Sequence, residues 1–282
     1  MITNETNALP IEHINLKTGL YVVPTPIGNL KDITLRALET LKSVEYIYCE
    51  NTRHSRKLLS YYKIETPLRT YNDHSNEKDR THIIQTAQNH PIALITDAGM
   101  PLISDPGYKL IQEIYTQKIF TTVLPGPCAL VTAMALSSMP SDRFSFLGFF
   151  DTSKAAEFID ANTSLIFYES PKRLLKSLSW FSEHMKDRTI SVCRELSKIH
   201  EENIIGRYED VIEKFKNKPS IKGEFVLILS PPEKKSLNDD DILKLIQNNP
   251  QNLSAKDLIK LISTSYKLQK KRVYNLYHKN HA

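Results

Sequence analysis

The chain has 282 residues and a formal net charge of +5, and its 40% hydrophobic and 24% charged residues are typical of a globular protein with room for two domains. No apolar run reaches the roughly 18 residues of a membrane span, and the polar N-terminal tail, residues 1–17, lacks the layout of a secretion signal. Three widely separated cysteines without a C-x-x-C pair or a Cys/His cluster exclude a zinc or disulfide framework, so we expect a cytoplasmic protein without a catalytic metal.

The first part of the chain, residues 18–126, alternates short apolar runs with helical patterns. Ile33, Ala37, Leu41 and Val44 recur at spacings of three and four, as on one face of a helix. Such alternation predicts an α/β domain with a mostly parallel sheet. Its strands are expected at 20–23, 44–49, 68–71, 93–96 and 121–124.

A loop of eleven residues, Asp97 to Gly107, follows the fourth predicted strand and precedes a helical pattern. It therefore lies at the carboxyl end of a parallel strand, where open α/β sheets bind small ligands. Gly99 permits close approach of the backbone to a ligand, and Pro101 and Pro106 stiffen the loop. An ordinary turn with capping residues is the alternative, but it needs fewer Asp, Gly and Pro residues.

Residues 127–232 form the second predicted α/β domain, which begins after Pro125-Gly126. Some of its strands follow each other without a helix between them, which predicts antiparallel pairs and therefore a mixed sheet. Its strands are expected at 144–149, 164–168, 189–193, 202–206 and 225–230, and its helices near 154–161, 171–181 and 208–215.

Residues 233–282 form a basic C-terminal extension after Pro231-Pro232, with short helices expected at 240–247, 254–264 and 269–277. The extension contains ten Lys and Arg residues and five Asp and Glu residues, so the whole formal excess of positive charge lies in it. A cluster of basic and aromatic side chains is typical of a nucleic-acid contact, although composition alone slightly favours a solvated helix face whose tyrosines pack inward. The cluster is Lys267, Lys270, Lys271 and Arg272 with Tyr266, Tyr274 and Tyr277.

The sequence of the 97–107 loop, DAGMPLISDPG, resembles the signature of the ribosomal RNA small subunit methyltransferase I family, within the tetrapyrrole-methylase-like superfamily. Six further segments resemble the family in the same order, which makes the resemblance specific although each motif alone is weak. They are residues 21–30, 50–53, 124–129, 167–170, 194–198 and 222–225.

This resemblance implies two α/β domains with S-adenosylmethionine (SAM) folded into the cleft between them. SAM needs hydrogen bonds to its adenine, ribose and amino-acid ends and an apolar wall, but no pyrophosphate cradle, and no G-x-G-x-x-G loop is present. The positions carried over as cofactor-binding are Pro26, Asp97, Ala98, Gly99, Pro101, Ser104, Asp105, Pro125, Gly126, Tyr168, Glu169, Arg194 and Gly223.

The resemblance further implies a homodimer that methylates the ribose 2′-hydroxyl of a cytidine in the decoding region of 16S rRNA, with the small ribosomal subunit as partner. Three side chains after the second and third strands are the candidates for catalysis, because a ribose hydroxyl is a poor acid and needs a base or cation nearby. They are Glu50, Arg53 and Glu77. Each also has a structural interpretation, since Glu50 and Arg53 could pair and Glu77 could cap a helix. His74 is a further candidate base or a surface residue.

Two alternatives stay open at this point: a methyltransferase acting on a tetrapyrrole carbon, and a non-enzymatic RNA-binding protein on a methylase scaffold. The basic extension argues against the first, and the intact 97–107 loop argues against the second. The chain departs from the family at Asn51, where Asp is usual, and at Met100, where Thr is usual. After Gly148 it lacks the usual proline and basic cluster and keeps only Lys154.

Overall fold

The structure, a computed structural model, describes residues 12–72, 75–233, 237–249, 253–266 and 268–280. The chain divides into two compact units, with the boundary between Pro232 and Glu233. Within the described ranges, no helix combines the length and the apolar character that crossing a bilayer requires.

The first sheet contains five strands in the order β3-β2-β4-β1-β5, and every neighbouring pair is parallel. Helices fill four of the connections, so the predicted parallel sheet is confirmed. The strands are β1 (Gly19–Val22), β2 (Tyr46–Cys49), β3 (Leu68–Thr70), β4 (Pro91–Leu94) and β5 (Thr121–Val123). The helices are α1 (Leu35–Ser43), α2 (Thr52–Tyr61), α3 (Glu77–Asn89) and α4 (Tyr108–Thr116).

Apolar clusters cover both faces of the first sheet. On one face, the predicted stripe of α1 is buried and packs with β1 and β2. On the other face, Leu110 and Ile114 of α4 pack with Ile83 of α3. The side chain of Thr34 starts α1 by accepting a 3.1 Å hydrogen bond from the backbone N–H of Ala37. Burial of these stripes holds the loops at the carboxyl ends of the strands in fixed positions.

The second sheet has the order β6-β7-β10-β8-β9 and is mixed, as predicted. β6 and β7 are parallel, whereas β10 is antiparallel to β7 and to β8, and β8 is antiparallel to β9. The strands are β6 (Phe144–Phe149), β7 (Ser164–Glu169), β8 (Ile190–Arg194), β9 (Glu202–Gly206) and β10 (Phe225–Leu229), and the helices are α5 (Ala129–Leu136), α6 (Leu174–His184) and α7 (Tyr208–Lys216).

Two segments of the second half differ from the prediction. The helix expected near 154–161 is a 3-10 helix at Thr152–Glu157, in which Asp151 accepts from the backbone N–H of Ser153. The chain there closes i to i+3 bonds, such as Phe158 N–H to the Ala155 carbonyl, before Phe158 enters the core. Helix α5 was not predicted, because its sequence ALVTAMAL is apolar except for Thr132 and shows no period of 3.6.

A buried arginine ties the ends of the second sheet together. Arg188 is 1% exposed, and its guanidinium donates to the carbonyl oxygens of Thr163 at 3.0 Å, Ser230 at 2.7 Å and Ala161. Burial lowers the pKa of Arg188 from its usual value. The carbonyl acceptors compensate for the removal of this cation from water.

The C-terminal unit contains the three expected helices, α8 (Asp239–Gln247), α9 (Ala255–Ser265) and α10 (Lys270–Asn280). Ile242, Ile259 and Val273 contribute one buried side chain from each helix to a small core. Ser254 caps α9, as predicted, by accepting from the backbone N–H of Asp257. Arg272 is held on Asp239 by hydrogen bonds of 2.6 and 2.9 Å to Oδ1.

Candidate functional site

A cavity of about 350 Å³ lies between the carboxyl edge of the first sheet and one end of the second. The 97–107 loop supplies one wall, and the end of β7, the segment after β8 and the start of β10 supply the other. It is lined by Ile27, Ala98, Gly99, Met100, Ile103, Ser104, Asp105, Cys128, Ala129, Phe149, Tyr168, Glu169, Ser170, Pro171, Leu196, Gly223, Glu224, Phe225 and Val226. An apolar lining with a few carboxylates and hydroxyls is typical of a small-molecule site.

The 97–107 loop has a strained backbone and is anchored on the loop after β1. Thr25 and Gly99 exchange two backbone hydrogen bonds, each 2.9 Å long. Gly99 has a φ of +86°, and the non-glycine residues Leu102 and Ser104 have φ values of 75° and 64°. In non-glycine residues such as Leu102 and Ser104, this conformation costs about 1 to 3 kcal/mol each and persists where the surroundings fix it, often at ligand sites.

A compact ion-pair network fixes the opposite wall. The Nζ of Lys198 lies 2.9 Å from Oε1 of Glu195 and 2.8 Å from Oε2 of Glu224. The same Oε1 of Glu195 accepts a 3.0 Å hydrogen bond from the backbone N–H of Glu224. A Cβ on Gly223, which has a φ of +104°, would lie 2.6 Å from Cγ of Glu195. Glycine is therefore required here by the position of Glu195.

The network shifts the pKa values of both its acid and its base. Burial opposes ionisation of Glu195, but the hydrogen bonds from Lys198 and from the backbone N–H of Glu224 outweigh it and lower the Glu195 pKa. Burial likewise opposes the charge on Lys198, and its hydrogen bonds to Glu224 and Glu195 outweigh that and raise the Lys198 pKa. Both partners are therefore charged at neutral pH.

The same segment after β8 packs closely on the loop between β1 and α1. The Oγ of Ser197 donates to Oδ2 of Asp32. A Cβ on Gly28 would lie 2.5 Å from Cγ of Lys198 and 2.7 Å from the carbonyl oxygen of Leu196. The absence of a side chain at Gly28 thus lets the segment after β8 approach the first sheet and close one end of the cavity.

Glu169 lies at the end of β7 with its side chain fully buried. Its Oε1 accepts from the backbone N–H of Ser170 at 2.7 Å and contacts Nη2 of Arg173 at 3.0 Å. Its Oε2 accepts from the hydroxyl of Ser177 in α6. These contacts fix the turn from β7 into α6, so Glu169 positions the cavity wall through its neighbours.

Two side chains at the start of the 97–107 loop carry buried polar atoms for which the described residues offer no hydrogen-bond partner. These unpaired atoms are Oδ1 of Asp97 and Oγ1 of Thr96. An unpaired buried acceptor is costly unless a ligand or water completes it. Asp97 therefore fits a donor group, such as a hydroxyl or amino group, of a bound molecule.

The structure brings seven of the thirteen predicted cofactor residues into the cavity lining. These are Ala98, Gly99, Ser104, Asp105, Tyr168, Glu169 and Gly223. The other six flank the cavity wall in sequence and are not part of its lining. These are Pro26, Asp97, Pro101, Pro125, Gly126 and Arg194. Among them, Arg194 donates from Nε to the carbonyl oxygen of Lys222 at 2.7 Å, next to Gly223.

The three catalytic candidates lie at the carboxyl edge of the first sheet and outside the cavity lining. Glu50 follows β2, Arg53 is in the first turn of α2 with an exposed side chain, and Glu77 is the first residue of α3 and exposed. Asn51 caps α2 by accepting from the backbone N–H groups of Arg53 and His54 at 3.1 and 3.2 Å. Asp would cap this helix equally well. His74 lies outside the described residues.

Several lining residues were not singled out in the sequence. Cys128 and Ala129 open α5, and Phe149 ends β6 with 55% of its side chain exposed. Cys128 belongs to the 124–129 motif, so its position beside a glycine-proline turn was the available signal. Phe149 belongs to the segment after Gly148 at which the chain departs from the family, and the pairing of β6 with β7 brings it against Tyr168. In the described part of the chain, no three His, Cys, Asp or Glu side chains form a cluster able to hold a metal.

The sequence matches known proteins over most of its length. The family model "Tetrapyrrole (Corrin/Porphyrin) Methylases" matches residues 19–212. A protein of Rickettsia prowazekii named ribosomal RNA small subunit methyltransferase I is 42% identical, with 94% of this chain and 98% of that protein covered. One of the same name from Hydrogenobaculum is 47% identical, with 75% of this chain and 95% of that protein covered.

Solved structures share the fold at low sequence identity. A diphthine synthase superposes with a TM-score of 0.60 at 14% identity, covering 75% of this chain and 89% of that one. The uroporphyrin-III C-methyltransferase of Thermus thermophilus, solved in complex with S-adenosyl homocysteine, superposes with a TM-score of 0.54 at 16% identity, covering 75% and 97%. The arrangement of two sheets is therefore common to all three proteins.

Proposed function

This chain belongs to the ribosomal RNA small subunit methyltransferase I family of the tetrapyrrole methylases, and from that premise we propose that it methylates the ribose 2′-hydroxyl of a cytidine in the decoding region of 16S rRNA. The enzyme is a SAM-dependent methyltransferase. The observation that carries the proposal is the cavity built from the 97–107 loop, the end of β7, the segment after β8 and the start of β10.

The cavity suits SAM in size and in chemistry. Its volume of about 350 Å³ falls in the range of about 300 to 1,000 Å³ usual for small-molecule sites. Ile103, Leu196 and Val226 offer an apolar wall, while Ser104 and Asp105 offer oxygen acceptors to hydroxyl or amino groups. Asp97, which precedes the lining residue Ala98, has a buried oxygen that lacks a partner among the described residues. These groups match the three chemically different ends of SAM.

When bound, SAM supplies a methyl group on a positively charged sulfur. The work of this chain is to hold the donor and acceptor in line, which accounts for up to roughly 7 to 11 kcal/mol of barrier lowering in favourable cases. The Thr25–Gly99 bridge and the Glu195–Lys198–Glu224 network keep the two walls rigid. We keep Glu50, Arg53 and Glu77 as candidates for binding the methyl acceptor. They lie at the carboxyl edge of the first sheet, the edge that also carries the 97–107 loop.

The names of the relatives favour RNA over a tetrapyrrole as substrate. Relatives at 36–47% identity are named as rRNA methyltransferases, whereas the cobalt-precorrin and uroporphyrin enzymes are 13–17% identical. The exposed Lys270, Lys271 and Tyr274 of α10 give the C-terminal unit a surface suited to RNA. We also propose that the protein is a homodimer and that the small ribosomal subunit is its partner.

A methylation assay with labelled SAM tests this function. We expect label in 16S rRNA when small subunits are offered, less with naked rRNA, and none in a precorrin. Nuclease digestion of the product should place the methyl group on a cytidine ribose. Label in the precorrin, or none in either RNA, would contradict the proposal, and calorimetry with SAM alone separates failure of cofactor binding from failure of substrate choice.

A further inference from the structure

A second cavity, of about 210 Å³, opens at the same edge of the first sheet. It lies where the loop after β3 and the start of α3 meet the start of α4. Its lining is Tyr71, Asn72, Ser75, Arg80, Asp105, Pro106, Gly107, Tyr108 and Lys109. We refer to it below as the α3–α4 pocket.

The two cavities share one residue. Asp105 lines both the larger cavity and the α3–α4 pocket, at the end of the 97–107 loop. A molecule in the pocket would therefore lie next to a molecule in the larger cavity, with Asp105 between the two. This adjacency is what a transfer reaction between a donor and an acceptor needs.

The opposite side of the pocket carries two basic side chains, Arg80 and Lys109. Arg80 of α3 is bound through Nε to Oε1 of Glu113 in α4 at 2.7 Å, and its side chain is 14% exposed. A guanidinium has further N–H groups besides Nε, so one carboxylate does not exhaust its capacity as a donor. Lys109 is exposed on the first turn of α4, and the capping residue of that helix, Gly107, offers no side-chain acceptor to the N–H groups there. Both features favour an anion.

Tyr108 adds an aromatic surface to the mouth of the pocket. It is 72% exposed although it is a large hydrophobic residue, and it is adjacent to Lys109. An exposed aromatic ring beside cations is typical of sites where an unstacked base rests on a side chain. Asp105, by contrast, would repel a phosphate and accept a hydrogen bond from a hydroxyl.

We propose that the α3–α4 pocket binds one ribose-phosphate unit of single-stranded RNA, with the phosphate toward Arg80 and Lys109, the ribose hydroxyls toward Asp105, and a base on Tyr108. This inference rests on the proposed function and extends it by assigning the acceptor side of the reaction. At about 210 Å³ the pocket is too small for a tetrapyrrole and large enough for one sugar-phosphate unit.

The test compares two double variants of the full-length protein, one at the start of α4 and one at and just after its end. The pocket variant is Tyr108→Ala with Lys109→Gln, and the control variant is Tyr115→Ala with Lys118→Gln. Tyr108 and Tyr115 are both exposed, at 72% and 80%, and both lysines are exposed. The two variants therefore remove the same kinds of side chain, one pair at the start of α4 and the other at and just after its end. Neither should lower the melting temperature by more than about 2 °C, because changes of exposed side chains usually cost little stability.

Three measurements are made on each protein: calorimetry with SAM, fluorescence anisotropy with a labelled single-stranded RNA of the decoding region, and methylation of small subunits. In the pocket variant, RNA affinity and kcat/KM for subunits should fall at least tenfold and SAM affinity should stay within twofold. RNA affinity should also depend less steeply on salt concentration, because a phosphate contact is lost. The control variant should match the wild type in all three.

The outcomes separate this inference from the proposed function. If the wild-type protein methylates no RNA, the proposed function fails, and the anisotropy experiment still judges the pocket. RNA affinity in the pocket variant that equals that of the wild type, or falls equally in the control, overturns the assignment. Absence of RNA binding by the wild-type protein overturns it as well.

Discussion

Thr25 and Gly99 hold the loop after β1 and the 97–107 loop together through a pair of backbone hydrogen bonds. The N–H of Gly99 is therefore used inside the protein and does not serve a ligand directly. The glycine is needed for its φ of +86°, and a Cβ there would lie 3.3 Å from Cγ2 of Ile27, a lining residue. A side chain at this position would thus change the shape of the cavity from within its wall.

Substitution of Gly99 should weaken SAM binding. We expect Gly99→Val to reduce SAM affinity at least tenfold, about 1.4 kcal/mol, because a β-branched residue is disfavoured at positive φ and would displace Ile27. Calorimetry measures the affinity, and circular dichroism checks the fold. Gly206→Ala is the control, since a Cβ there meets nothing closer than 3.8 Å. Unchanged SAM affinity in Gly99→Val would place the cofactor elsewhere.

The Glu195–Lys198–Glu224 network should make SAM binding sensitive to acid. The lowered pKa of Glu195 stabilises the folded wall above the ordinary value of 4.5, and this contribution is lost as pH falls through the lowered pKa. The raised pKa of Lys198 has the opposite sign, so its contribution is complete below 10.5 and is lost only as pH rises beyond that value. We expect the SAM dissociation constant to rise below about pH 4.5.

Glu195→Gln isolates the part of this pH dependence that belongs to the network. The variant should bind SAM more weakly at pH 7. Its SAM dissociation constant should also rise less than that of the wild type as the pH falls from 7 to below about 4.5. Its dissociation constant, measured by calorimetry across that range, is compared with that of the wild type. Parallel profiles for the two proteins would show that another carboxylate dominates.

The buried carboxylate of Glu169 should contribute to stability. In Glu169→Ala the backbone N–H of Ser170 and the hydroxyl of Ser177 lose their acceptor, which should lower the free energy of unfolding by about 1–3 kcal/mol. The matched control is Glu209→Ala, which breaks the exposed 2.7 Å hydrogen bond from Ser182 and should change it by no more than about 0.5 kcal/mol. Urea titration measures both, and equal losses would refute the special role of Glu169.

Charge reversal on α10 should weaken RNA binding and leave the cofactor site intact. Lys270, Lys271 and Lys279 are exposed, so replacing all three by Glu should reduce the affinity for small subunits, most strongly at low salt, where charges are least screened. Arg272 is unsuitable for this test, because it is bound to Asp239. Filter binding across salt concentrations measures the loss. Wild-type subunit binding and methylation by the triple variant would make the C-terminal unit a packing element.

The proposed homodimer predicts a sedimenting species of about two chains of 32.4 kDa. Residues 1–232 carry no formal net charge, so long-range repulsion does not oppose association. Sedimentation velocity at micromolar concentration distinguishes the states directly. A single monomeric species over that range would refute the dimer.

Local sequence patterns predicted most of the fold, because the strands and helices bury regular stripes. The Ile33–Val44 stripe and the apolar run of β10 could be recognised without knowledge of their partners. Helix α5 could not, since uniform hydrophobicity carries no period. In the site, the 97–107 loop could be recognised as an unusual run of Asp, Gly and Pro.

The three tyrosines of the C-terminal cluster differ in their environments. Tyr266 and Tyr274 are exposed, and Tyr277 packs partly against the core of the C-terminal unit.

Contacts between residues distant in the chain explain what the sequence did not predict. Gly223 packs against Glu195, 28 positions away in the sequence, and Arg272 binds Asp239, 33 positions away. No local pattern distinguishes these charged residues from solvated ones, since the partner becomes adjacent only after the strands or helices have packed. Lys267, part of the predicted basic cluster, lies outside the described residues.

The strand order of the second sheet bears on how the protein is made. β10 is the last strand to leave the ribosome, yet it occupies the middle of the sheet, between β7 and β8. The Arg188 guanidinium likewise receives one of its three carbonyl partners only from Ser230. Synthesis proceeds at about 5–20 residues per second, so β7 and β8 wait as open strand edges until β10 arrives. Nascent chains halted before residue 225 would expose those edges and should depend on chaperones to avoid aggregation.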